Sequence, residues 1–134
     1  MTLSEAIRLG SMTGGQAFGT MKDMHGNTCA LGAAREAVGV TAWLAMKCQL
    51  MRYPAQCPVC NIPCVVSFGG LLDYSLYGTI GHLNDEHRWT RLQIANFVET
   101  IELAPTVPGD TEVPAIRATD EATAPRALIA VAAQ

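Results

Sequence analysis

The strongest constraint on this chain is a spacing. Cys57 and Cys60 are separated by two residues, His82 and His87 by four, and together they form the pattern C-x2-C-x21-H-x4-H. Two cysteines so placed can turn both sulfurs towards one ion across a tight knuckle, and two imidazole nitrogens complete a tetrahedron. A mixed sulfur and nitrogen donor set of this kind suits zinc. The expected ligands are therefore Cys57, Cys60, His82 and His87, closing a structural zinc site. Cys64 is a rival ligand that would replace one histidine and give a Cys3His site.

The neighbouring residues sharpen that geometry. In CPVCN, Pro58 fixes φ just after the first ligand, and Asn61 follows the second, where a left-handed residue lets backbone N–H groups face the sulfurs. His82 and His87 would lie about 140° apart on an unbroken α-helix, too far round to share an ion. The sequence thus requires a helix to end between them, and Asn84-Asp85 is a suitable place.

Five cysteines is an odd number, and three crowd into Cys57 to Cys64. This usage fits metal in a reducing compartment better than a secreted disulfide framework. The chain has 134 residues, 49% of them hydrophobic, which suits one packed domain. No apolar stretch reaches the roughly 18 to 20 residues of a membrane span. The start, MTLSEAIRLGSMTGG, lacks a basic segment followed by a long apolar run, so a cytoplasmic protein without membrane contact is expected. A net charge of -3 and nine scattered Lys and Arg leave no basic stripe for phosphates, which argues against a nucleic-acid binder.

Helical signals dominate. Ser4 can cap a short helix running through Arg8 and ended by Gly10, and Thr28 can cap a second, CALGAAREAVG, whose small residues allow close approach. Gly39 stands where a left-handed C-terminal cap is needed. A third helix, about Thr41 to Arg52, is apolar nearly all round and is expected at the centre of the core until Pro54 stops it. Cys29 and Cys48 lie on apolar helical faces and read as core residues. Val65 to Phe68 and Leu71 to Tyr74 flank Gly69-Gly70 and predict a short β-hairpin. Tyr77 to Asn84 reads as a helical turn or two. The last helix carries the most signals: Thr90 with Gln93 three residues on, Trp89 as a staple onto Ile94, and Ile94, Phe97, Val98 and Ile101 on one face.

From Ala104 the composition turns to Pro105, Pro108, Pro114, Pro125 and many alanines, before the apolar run Ala127 to Ala132. Residues 1–103 are thus expected to form one helical zinc-bearing domain and 104–134 an extended tail.

Other chemistries fit less well. Gly14 to Thr20 has two glycines five apart but no following Lys, so it is not a phosphate-binding loop. CPVC resembles the redox pair of glutaredoxins, yet Pro63 obstructs a helix after Cys60 and no βαβ pattern surrounds it. An iron–sulfur cluster lacks a well-spaced fourth cysteine. Asp85 and Glu86 beside His87 admit a metal-dependent nuclease or other hydrolase, but catalytic zinc keeps an open position and four protein ligands leave none. His25 in DMHGN reads as a loop residue. TRLQIANFV has the form of half a helix-turn-helix whose second helix is missing.

The knuckle, hairpin and helical turn of residues 57 to 87 resemble treble-clef and other Cys2His2 zinc modules. TCALGAAREAVG and HLNDEHRWTRLQIANFVETIE give residues 3 to 103 a resemblance to a group of small bacterial and phage proteins. These share a CALGA-type helix, a CPxC pair and an HLND-x-H-x-W-T-R ending. The resemblance implies that the cysteines and histidines belong to one unit and brings no activity with it.

The sequence thus predicts a mainly α fold with a short β-hairpin, stabilised by zinc. The expected role is a non-enzymatic interaction or assembly module whose tail reaches a protein partner or a second copy of the chain. A phage or prophage structural protein, virion-associated, is the alternative beside the hydrolase.

Overall fold

The structure is a computed structural model and describes residues 1–61 and 75–104. Among these residues five helices follow in order: α1 (Leu3–Gly10), α2 (Ala30–Val38), α3 (Val40–Arg52), α4 (Leu76–Asp85) and α5 (Arg91–Glu102). No strand forms among the described residues, where three isolated bridges, Gln16 with Thr28, Lys22 with Thr28 and Pro54 with Ser75, take the place of a sheet. The expected hairpin at 65–74 and the tail from Pro105 lie outside the described residues.

α1, α2, α4 and α5 each begin where a side chain accepts from the first orphan amides, whereas α3 begins after Gly39 with no side-chain cap. α1 starts two residues earlier than Ser4 suggests. Thr2 and Glu5 form a reciprocal capping box, and Ser4, 2% exposed, is buried instead. In α2 the cap is Cys29, whose Sγ accepts from Gly32 N at 3.3 Å, while Thr28 gives its hydroxyl oxygen to Arg91 Nη1 at 2.9 Å. α5 matches its sequence signals, with Thr90 and Gln93 completing a capping box. Trp89 lies edge-on to Phe97, with ring centroids 6.3 Å apart. α4 is longer than the expected turn or two, because Ser75 accepts from Gly78 N and Leu76, Ile80 and Leu83 form a fully buried stripe.

The central helix is α2, not α3: α2 touches all four others, whereas α3 packs mainly on α2 and α4. The reason lies in side-chain size. α3 buries Trp43, Ala45, Met46 and Leu50 but leaves Val40, Leu44 and Met51 exposed. In α2, Ala30, Ala33 and Ala34 are fully buried, and small side chains let neighbouring backbones come close. A Cβ on Gly10 would land on the Ala33 carbonyl, and one on Gly32 on the Met21 carbonyl. Glycine at these positions is what permits α1 and the loop before α2 to lie backbone-on against the central helix.

No helix among the described residues is long and apolar enough to cross a membrane.

Candidate metal centre

The cysteine knuckle is placed by the exit from α3. Leu76 N donates to Tyr53 O at 2.8 Å and Thr79 Oγ1 to Ala55 O at 3.1 Å, so residues 53–55 run beside the start of α4. Cys57 then sits in a turn closed by Asn61 N donating to Cys57 O at 3.0 Å. Asn61 has φ 55°, the left-handed conformation expected after the second cysteine.

On the other side, α4 carries His82 in its last turn and stops at Asp85. Glu86 N and His87 N both point to His82 O, at 2.9 and 3.4 Å, and Arg88 then turns left-handed at φ 55°. Trp89 N can in consequence reach back to Leu83 O at 3.0 Å. This is the helix termination that the histidine spacing requires. It swings His87 back onto His82, and the two rings meet edge to face with centroids 4.7 Å apart.

The result is one cluster. The ligand atoms of Cys57, Cys60, His82 and His87 all lie within 4.8 Å of one another, and Cys60 Sγ is 3.3 Å from His82 Nε2. Metal–nitrogen bonds of about 2.0 Å and metal–sulfur bonds of about 2.3 Å in a tetrahedron separate ligand atoms by roughly 3.3 to 3.8 Å. Small side-chain shifts bring the four atoms to that spacing. A second observation supports the fit: His87 Nε2 is buried and has no hydrogen-bond partner. A buried nitrogen left unpaired is costly, and an ion in the cluster would satisfy it. The four residues can therefore hold one metal ion. Cys64 lies outside the described residues. Cys29, as the cap of α2, and Cys48, half-buried on α3, stand apart from the cluster.

Between the histidines lies a residue to which the sequence assigned no more than a helix end. Asn84 is 1% exposed. Its Oδ1 accepts from Gln16 Nε2 at 2.9 Å and Ala30 N at 3.4 Å, and its Nδ2 donates to Ala17 O at 2.9 Å and Asp85 Oδ1 at 2.8 Å. Asp85 Oδ1 also accepts from Gly19 N at 2.8 Å, so Asp85 anchors backbone. Gln16 continues the chain of contacts, donating to Trp89 O at 2.7 Å and accepting from Arg91 N at 3.3 Å.

Arg91 departs from the outward position that its place in the helix pattern suggests. It is 8% exposed, and its guanidinium donates to Thr28 Oγ1, Ser11 O and Gly14 O. Burial holds its pKa below the usual guanidinium value. No local sequence signal distinguishes this arginine, because its partners come from a loop more than sixty residues away.

The glycine-rich stretch is thus a clasp on the end of α4 and the start of α5, while His25 is exposed in the turn that follows it, its N–H donating to Asp23 Oδ1. A shallow groove along α5 is lined by Trp89, Gln93, Asn96, Phe97 and Thr100, none of which ionises as an acid or base at neutral pH. Comparison with protein families, curated proteins and solved structures finds no match to this chain.

Proposed function

We propose that Cys57, Cys60, His82 and His87 hold one zinc ion in a closed, four-coordinate structural site, and that the helical domain so braced is a non-enzymatic interaction or assembly module. The observation that carries the reading is the convergence of four soft and borderline donors within 4.8 Å, one of them the unpartnered His87 Nε2. Two thiolates with two imidazoles favour zinc over the hard cations, which take oxygen ligands. When bound, the ion supplies charge and cross-linking, tying the exit of α3 to the end of α4.

Hydrolysis is the weaker reading. It needs an open coordination position and a free base beside it. Four protein ligands fill a tetrahedron, and Asp85 is engaged by Gly19 N and Asn84 Nδ2. Partner contact is assigned instead to the segment from Ala104 onward, whose apolar run Ala127 to Ala132 follows a Pro- and Ala-rich stretch.

Native mass spectrometry of the full chain, with and without chelator, tests the metal and the assembly together. One zinc per chain, lost with chelator and accompanied by a broader charge-state distribution as the exit of α3 and the end of α4 loosen, is expected, since binding at a structural zinc site is coupled to folding. A metal-free protein with an unchanged fold would overturn the reading.

A further inference from the structure

Within the loop 11–29, the turn at 23–27 closes on itself, with Asp23 accepting from His25 N, Asn27 N and Asn27 Nδ2, and Asn27 Oδ1 accepting from Gly15 N. Thr28 N donates to Gly15 O, Ala17 N to Thr28 O and Cys29 N to Met21 O. Its first residues continue from α1, with Ser11 N and Oγ donating to Ile7 O, Met12 N to Leu9 O and Thr13 Oγ1 to Gly10 O; among the described residues, the other hydrogen bonds the loop makes beyond itself and α2 go to residues 84–91. Gln16 reaches Asn84, Trp89 and Arg91; Ala17 reaches Asn84; Gly19 reaches Asp85; and Ser11, Gly14 and Thr28 reach Arg91. The Arg88 guanidinium adds a stacking contact 4.1 Å from the centre of the Phe18 ring.

That same stretch is the one a metal ion would fix. His82 and His87 bracket Asn84 and Asp85, so two bonds to a common ion hold the turn between them. We propose that metal occupancy is transmitted through Asn84 and Gln16 to the loop 11–29, so that the ion orders a surface loop carrying none of its ligands. This rests on the metal-site reading above. Asn84 and Gln16 act as positioning residues. Asn84 is satisfied on both its oxygen and its nitrogen only when the turn keeps its shape, and Gln16 spans the two sides of His87 by bonding Asn84 before it and Trp89 and Arg91 after it.

Coupling between two sites is reciprocal. If the ion favours the ordered loop by some factor, a substitution that disorders the loop weakens ion binding by up to that factor. Gln16 is the useful probe because its side chain hydrogen-bonds Asn84, Trp89 and Arg91 and is not itself one of the four candidate ligands.

The test uses the full chain, with zinc affinity read by competition with a chromophoric chelator and loop order by amide hydrogen exchange. Gln16→Ala is expected to lower zinc affinity about tenfold while one zinc still binds, within the roughly 5- to 150-fold range of site-to-site coupling. Gln16→Glu keeps the size but replaces the donating amide with an acceptor facing two oxygens, so it should bind zinc no better than Gln16→Ala. In the wild-type chain, chelation should speed exchange at Ala17, Gly19 and Thr28 by a similar factor while α1 and α5 stay protected.

Wild-type zinc affinity in Gln16→Ala, or unchanged loop exchange on chelation, would overturn the coupling while leaving the metal site standing. Exchange rising together in the loop, α1 and α5, whether on chelation or in Gln16→Ala, would overturn it as well, since the effect would then be global. A wild-type chain that takes up no zinc overturns the site reading itself.

Discussion

Ser4 Oγ donates to Glu102 Oε2 at 2.6 Å, and this bond joins the first turn of α1 to the last turn of α5. The other carboxylate oxygen of Glu102 accepts from Leu3 N at 2.9 Å and Ser4 N at 3.3 Å. A negative charge therefore sits on free amides at the positive end of the α1 dipole.

Glu102→Ala should destabilise the protein by about 2 kcal/mol, since it leaves two amides and a buried hydroxyl without their charged acceptor. The urea midpoint should fall with an unchanged m-value. A shift indistinguishable from that of the exposed control Leu92→Ala would show that the closure contributes nothing.

Ligand substitutions should separate the two candidate ligand sets. His87→Ala is expected to lower zinc affinity by more than a hundredfold, and Cys64→Ser to leave it unchanged, because the four clustered residues would by themselves supply a full tetrahedral donor set. The reverse ranking in a competition titration would place Cys64 in the site.

Arg91→Lys should cost about 2 kcal/mol despite keeping the charge, because a single ammonium cannot reproduce the guanidinium fork that holds Thr28, Ser11 and Gly14. Thermal unfolding of the zinc-loaded variant measures this directly. Equal melting temperatures would mean that charge alone suffices.

Cys29 offers a pH signature. Burial pushes its thiol above the ordinary value of 9.0. The folded state thus keeps the proton that the unfolded chain releases, so this contribution to stability is complete below pH 9.0 and declines as pH rises through the higher folded value. At pH 8 in the zinc-loaded protein, Cys29 should alkylate several-fold more slowly than half-buried Cys48. Peptide mapping that found equal rates would contradict the burial.

Much of the architecture was legible because it depends on near neighbours. Thr90 with Gln93 and the left-handed Asn61 are local choices, and each occurs as the pattern predicts, whereas Gly39 has the positive φ of 85° but an extended ψ of 165° in place of the left-handed cap. The helix break between His82 and His87 followed from geometry, since one ion cannot be shared across about 140° of helix. The rest turned on partners distant in sequence. Thr28 was a plausible cap until Arg91 claimed its hydroxyl, and Ser4 until Glu102 did. Gln16 carried no signal and Asn84 none beyond a helix end, because a buried amide differs from an exposed one only in what surrounds it. The size of α4 was underestimated because Gly78 and Gly81 mask a stripe that burial reveals.

The backbone contacts at Gly10 and Gly32 have a bearing on kinship. Metal ligands can be exchanged, Cys for His or the reverse, and a surface tail can drift until nothing of it is recognisable. A residue whose Cβ would strike another chain segment's carbonyl has no such freedom. Homologues too diverged to align by their ligand motif should still share these two glycines, one ending the first helix and one just inside the second. The pair is thus a more durable lineage marker than the cysteines and histidines that first draw the eye.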